Sequence, residues 1–107
     1  MRRIKITGGS GRWFDSDSAE QIDEGTYWDG KNRISQATGS QWHHETLYLT
    51  AGGRYIVLST SQWQGETDSV VEISAEKAAV WLSRNGYGSE DAVAIDVGAE
   101  YAALEIQ

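Results

Sequence analysis

Apolar and polar residues alternate most clearly between residues 42 and 63, and this pattern predicts a β-hairpin. Two segments rich in β-branched and aromatic residues, 42–50 and 54–63, flank Gly52 and Gly53. A two-residue turn at these glycines predicts a register in which Trp42 lies directly opposite Trp63. That register puts aliphatic residues on one face of the hairpin, namely Leu47, Leu49, Ile56 and Leu58. It puts a mostly polar and aromatic set on the other, namely Trp42, His44, Thr46, Tyr48, Tyr55, Val57, Ser59, Ser61 and Trp63.

Shorter extended segments surround this hairpin. Ile4 and Ile6 share one face of a first strand over residues 2–7, and a glycine-rich stretch ends that strand. Further extended segments are predicted at residues 13–14, 26–28, 33–35 and 70–73. The last of these follows a polar turn at 64–69 and makes a three-stranded meander with the hairpin.

Helical patterns occur in two places. Residues 75–84 carry small and apolar side chains at i, i+3, i+4 and i+7, with Ser74 as the N-cap and Asn85-Gly86 as the end. A second helix is predicted from Asp15, its N-cap, to Gly25. Near the C-terminus, residues 93–97 read as an extended segment, and the type of the element after them is left open.

These elements predict an α+β fold. In it, an antiparallel β-meander packs against two or three short helices in a single layer-on-layer domain over residues 1–107.

Composition excludes several classes of protein. The chain has no cysteine, so it has neither disulfides nor a thiolate site. No apolar run approaches the roughly 20 residues that span a bilayer, and glycines interrupt the N-terminus where a signal peptide is apolar. We therefore expect a cytoplasmic protein that binds no membrane. A net charge of −7 disfavours direct binding of nucleic acid.

Acidic residues are concentrated in two segments. Residues 13–30 and 85–107 contain eleven of the sixteen acidic residues and no basic residue. Solvated faces that keep a small domain soluble would have this composition, and so would a surface that attracts a basic partner. The first segment supplies the acidic candidate binding residues, which are Asp15, Asp17, Glu20, Asp23, Glu24 and Asp29.

The aromatic face of the hairpin is the second candidate binding surface. Either it is a second core layer beneath residues 13–14 and 27–28, or it is an exposed platform. Its candidate binding residues are Trp42, His44, Tyr48, Tyr55 and Trp63.

Neither a metal site nor a catalytic site is specified. His43, His44 and Glu45 cluster, but alternation on a strand lets at most two of them converge, and the chain has no other histidine. The acidic run from Asp15 lacks the spacing of a calcium loop. A triad of Ser61, His44 and an aspartate can be assembled on paper, without a nucleophile motif to support it. We expect no cofactor, no metal and no enzymatic activity.

Several short motifs of this chain occur together: Tyr27-Trp28-Asp29-Gly30, Ile34-Ser35, Gly39-Ser40-Gln41-Trp42, Gly52-Gly53-Arg54-Tyr55 and Ser61-Gln62-Trp63-Gln64-Gly65. In these motifs the sequence resembles a family of small uncharacterised bacterial proteins, and no activity is carried over from it. In size, acidity and lack of catalytic motifs the chain is also similar to phage-encoded inhibitors of mobile-element defence, such as anti-CRISPR proteins, and to antitoxins.

The expected function is a non-enzymatic, acidic protein-interaction domain, an inhibitor or accessory factor whose partner protein has a basic surface. The alternative is a small-molecule-binding or hydrolytic domain with an aromatic pocket around Trp42, His44 and Trp63. A structural role as a homodimer is the third possibility.

Overall fold

Eight short strands precede the helices in the computed structural model, which describes residues 1–62, 68–88 and 90–106. The strands are β1 (Arg3–Lys5), β2 (Trp13–Asp15), β3 (Glu20–Asp23), β4 (Thr26–Trp28), β5 (Arg33–Ser35), β6 (His43–Leu49), β7 (Tyr55–Ser61) and β8 (Ser69–Ile73). The helices are α1 (Ala75–Arg84), a 3₁₀ helix (Ala92–Val97) and α2 (Gly98–Ala102). All strand pairs are antiparallel, which confirms the predicted α+β class.

The central sheet has four strands in the order β3-β6-β7-β8. Its middle is the predicted hairpin β6–β7, and β8 extends it into the predicted meander. The other two sheets are the small hairpins β1–β2 and β4–β5.

The turn of the central hairpin differs from the prediction. The Thr50 N–H donates to the Arg54 carbonyl at 2.8 Å, and the Gly53 N–H donates to the Thr50 carbonyl at 2.9 Å. Three residues therefore form the loop, the last being Gly53 with φ +83°. This geometry is a type I turn followed by a left-handed residue. The predicted two-residue turn is wrong, and the register is shifted by one residue.

That shift changes which side chains share a face. Leu47 is opposite Val57, and Tyr48 is opposite Ile56. Since a one-residue slip moves a whole strand's side chains to the other face, the predicted separation of aliphatic from aromatic residues does not hold. Both faces of the sheet carry buried apolar residues, and both are covered.

Helix α1 covers one face. Ser74 caps it by accepting a hydrogen bond from the Lys77 N–H at 3.2 Å, as predicted. Ala78, Ala79 and Leu82 are fully buried against the sheet. The core on this side comprises Ile22, Ala37, Leu47, Tyr55, Val57, Ala78, Ala79, Trp81, Leu82, Ala94 and Val97.

The β1–β2 hairpin covers the opposite face. Phe14 of β2 packs on Tyr48 with ring centroids 5.2 Å apart, beside Ile56 and Val70. The Thr7 N–H donates to the Val70 carbonyl at 2.8 Å and joins this hairpin to β8. The second core is smaller than the first, and strand residues supply all four of its buried members.

The helix predicted between residues 15 and 25 is wrong, because the segment contains a turn and strand β3. Asp15 Oδ1 accepts the Asp17 N–H at 3.0 Å, which forms a turn where a helix N-cap was predicted. Glu20–Asp23 then pairs with β6 and places Ile22 opposite Leu47. Burial of Ile22 in the sheet outweighs the weak helical pattern.

The extended segment predicted at residues 93–97 is also wrong. Residues 92–97 form a 3₁₀ helix, in which Ala94 and Val97 are fully buried. A helix of three residues per turn brings positions 94 and 97 onto one face. The terminal element left open by the sequence is α2.

Candidate functional site

Three acidic residues from distant parts of the chain act through their charges on the buried Tyr55, and one of them, Glu20, shares its face of the sheet because both are paired with Leu49. Burial raises the pKa of Tyr55, and the negative charges of Asp96, Glu100 and Glu20 raise it further. Glu20 belongs to β3, whereas Asp96 and Glu100 belong to the C-terminal helices. The two acidic segments of the sequence therefore meet on the side of the sheet that α1 covers.

A second contact between these segments involves Tyr87. Its hydroxyl donates to the Asp23 carbonyl at 2.7 Å, and its own carbonyl accepts the Tyr101 hydroxyl at 2.7 Å. The pKa of Tyr87 is raised by burial first and then by the charges of Asp23 and Asp91. We define the acidic surface as Glu20, Asp23, Asp91, Asp96 and Glu100.

The acidic surface has no basic counterion among residues 1–62, 68–88 and 90–106. The ion pairs within these ranges involve Asp17, Glu24 and Glu72, not the acidic surface. Four of its five members are exposed and Glu100 is partly exposed. Its charge is therefore available to solvent and to a partner.

Tyr55 has an unusual hydroxyl. Tyr55 is 5% exposed, and its hydroxyl oxygen has no hydrogen-bond partner among the described residues. A buried unpaired hydroxyl costs free energy, so this position stands out within the core.

Three of the predicted acidic residues serve local structure. Asp29 accepts the N–H groups of Lys31 and Asn32 at 2.8 and 2.7 Å, and these bonds lower its pKa. Asp17 pairs with the N-terminal amine at 3.3 Å. Asp15 accepts two backbone N–H groups. Each is explained by the turn or terminus that it stabilises.

Glu24, also predicted as a binding residue, is internal. Its side chain is 12% exposed, and its Oε1 lies 2.6 Å from His44 Nδ1. Its Oε2 accepts the Ser35 hydroxyl and, at 3.2 Å, the Glu45 N–H. This carboxylate joins β5 to β6 and does not present its charge to a partner.

His44 is held from both sides of its ring. Nδ1 faces Glu24, and Nε2 lies 3.1 Å from the Gln41 carbonyl. Because a carbonyl only accepts, Nε2 is the donor to Gln41, and Nδ1 faces the Glu24 carboxylate. The arrangement of Ser61, His44 and an aspartate considered from the sequence does not form. His44 is opposite Thr60, and Ser61 is opposite His43, so His44 and Ser61 are on different faces of the sheet.

The aromatic candidates are dispersed. Tyr48 is buried against Phe14 on one face of the sheet, and Tyr55 is buried on the other. Trp42 is 42% exposed, with the Gln62 N–H donating to its carbonyl at 2.9 Å. Trp63, predicted opposite Trp42, lies outside the described residues. Tyr48 and Tyr55 therefore cannot belong to one aromatic surface, because they lie on opposite faces of the sheet.

Sequence reasoning also missed a cleft between α1 and strands β7 and β8. Trp81 lines it, with its indole Nε1–H donating to Glu45 Oε1 at 3.0 Å. The available signal was that Trp81 and Val80 fall outside the apolar stripe of α1.

No group of three or more histidine, cysteine, aspartate or glutamate side chains suited to a metal ion occurs in the described part of the chain. Within those same residues, no helix is long and apolar enough to cross a membrane.

Comparisons with protein-family models, curated proteins and solved structures find no match to this chain.

Proposed function

We propose that this protein is a non-enzymatic interaction domain that binds a basic surface of a partner protein through its acidic surface. The observation that supports the proposal is that Glu20 shares a face of the sheet with Tyr55, through the pairing of both with Leu49, and that Asp96 and Glu100 act on the same tyrosine. Residues more than seventy positions apart contribute to one concentration of negative charge.

The electrostatic reason is that neighbouring carboxylates repel one another unless a cation relieves them. The described chain supplies no such cation at the acidic surface. Lysine and arginine side chains of a partner would relieve this repulsion and would also accelerate encounter. An inhibitor that occupies a nucleic-acid-binding site would use this chemistry, since such sites are basic.

The test measures binding to a synthetic peptide of alternating arginine and serine residues. The variant Glu20→Gln/Asp96→Asn/Glu100→Gln removes three charges from the acidic surface. The control Asp17→Asn/Asp68→Asn/Glu105→Gln removes three exposed charges that do not belong to the acidic surface, so the two variants have the same net charge.

We expect the acidic-surface variant to bind roughly tenfold more weakly, because each exposed pair contributes up to about 1 kcal/mol. The control should keep most of the affinity, and the salt dependence should decrease only in the acidic-surface variant. Equal loss in both variants would show that net charge alone attracts the peptide and would contradict the proposal.

A further inference from the structure

The cleft between α1 and the sheet is a second place where the molecule could bind a ligand. Its volume is about 390 Å³, within the range of pockets that hold small molecules. Val71, at 48%, and Val80, at 37%, are unusually exposed for apolar residues, and both line it. Val57 and Ile73 complete the sheet wall, and Trp81 forms part of the helix wall.

Charged groups at the cleft are arranged asymmetrically. The Glu45 carboxylate is occupied by donors, since Oε1 accepts the Trp81 indole N–H at 3.0 Å and Oε2 accepts the Ser59 hydroxyl at 3.4 Å. On the helix side lie Lys77 and Arg84. Neither forms an ion pair with a carboxylate in the described residues, and Arg84 donates only to the Ala37 carbonyl at 2.9 Å.

We propose that this cleft binds a small amphipathic carboxylate, such as a medium-chain fatty acid. The aliphatic body lies between Val71, Val80 and Trp81, and the carboxylate head is placed toward Lys77 and Arg84. Charge complementarity selects an anion, because among the described residues the Glu45 carboxylate already has its donors whereas Lys77 and Arg84 lack acidic partners. This site goes beyond the proposed protein interaction and does not depend on it.

The experiment titrates octanoate, octanol and octylamine into the isotopically labelled protein and follows the indole N–H resonance of Trp81. Octanoate should move this resonance and bind more tightly than either analogue. Hexanoate should bind more weakly than octanoate, by up to about fourfold for each methylene removed from the apolar wall.

Three variants locate the head group and the body. Lys77→Gln and Arg84→Gln should each weaken octanoate about fivefold without affecting octanol, whereas Lys31→Gln, in an exposed turn, is the matched control. Val80→Glu changes an exposed side chain and should abolish octanoate binding by placing a negative charge at the cleft. Circular dichroism checks that each variant is folded.

Three results would contradict the proposal that this cleft binds a carboxylate. They are the absence of any shift of the Trp81 resonance, equal affinity for octanoate and octanol, and tighter binding of octylamine. Retention of octanoate binding by the acidic-surface variant would separate this site from the proposed protein interaction.

Discussion

Ser35 and Glu24 show how individual polar groups determine the structure at one end of the sheet. The Ser35 hydroxyl is fully buried, donates to Glu24, and accepts the N–H groups of Ala37 and Thr38 at 3.1 and 3.2 Å. Buried polar groups are tolerated when each has a partner. Glu24 therefore acts within the fold, although composition alone places it with the surface acids.

Ser35→Ala should destabilise the protein by about 1–3 kcal/mol, because it removes one of the two donors to Glu24 Oε2 and leaves the Ala37 and Thr38 N–H groups without their acceptor. Urea unfolding gives the free energy. Ser83→Ala, at an exposed position of α1, is the control and should change stability by no more than about 0.5 kcal/mol. Equal effects in the two variants would contradict the network.

Glu72 gives the fold a measurable dependence on pH. Hydrogen bonds from Arg54 and Arg12 lower the pKa of Glu72 below its ordinary value of 4.5. The charged form is therefore favoured in the folded state, and the resulting stability is complete above pH 4.5 and is lost as the pH falls through the lowered value. Glu72→Gln should be less stable than the wild type at neutral pH, and the difference should shrink in acid.

Urea unfolding of both proteins across this pH range measures the difference. Glu105→Gln, an exposed residue near the C-terminus, is the control and should show no such convergence. A difference between wild type and Glu72→Gln that stays constant into acid would contradict the lowered pKa.

The elements of this fold show which sequence signals were decisive. The sequence predicts helix α1 together with its N-cap and its end, because Ser74, the apolar stripe and Asn85-Gly86 each indicate the same helix over residues 75–84. The sequence predicts a helix in place of β3, because the single apolar residue of that strand, Ile22, is paired with Leu47, twenty-five residues further along the chain. The 3₁₀ helix was missed for the same reason, since tertiary burial of Ala94 and Val97 selects it.

The turn of the β6–β7 hairpin can be tested with its two neighbouring glycines. In the observed turn only Gly53 has a positive φ, +83°, whereas a two-residue type I′ turn would require positive φ at both glycines. Gly53→Ala should destabilise the protein by about 1–2 kcal/mol.

Gly52→Ala is the matched variant for this turn. The nearest atom to its added Cβ is the Thr50 hydroxyl at 4.0 Å, so the substitution should be neutral or stabilise by up to about 1 kcal/mol. Thermal unfolding of both variants decides the register, because equal destabilisation would favour the two-residue turn.

At the scale of the whole molecule, charge separates across the sheet. The basic residues of the N-terminal hairpin, Arg2, Arg3, Lys5 and Arg12, lie with the layer that covers Tyr48, whereas Glu20, Asp96 and Glu100 act on Tyr55 on the other side of the sheet. The sequence predicts two acidic segments. The pairing of β3 with β6 determines which residues of the first segment lie near the second. Of the predicted acidic residues, Glu20 and Asp23 are therefore grouped in the acidic surface with three C-terminal acids.

This separation predicts weak self-association at low ionic strength, since the basic layer of one molecule can meet the acidic surface of another. Light scattering should show an average mass above that of the monomer, falling to the monomer as salt is added. The acidic-surface variant should remain monomeric throughout. Association that is insensitive to salt would instead indicate an apolar dimer interface.

The most direct test of the acidic surface is a backbone amide NMR titration with the arginine–serine peptide. The largest shifts should fall in β3 and in the C-terminal helices, because Glu20 and Asp23 lie in the first and Asp96 and Glu100 in the second. Shifts in both segments should saturate at the same peptide concentration, as expected for a single surface. Shifts centred on the β1–β2 or β4–β5 hairpins, or separate saturation of the two segments, would contradict a single acidic binding surface.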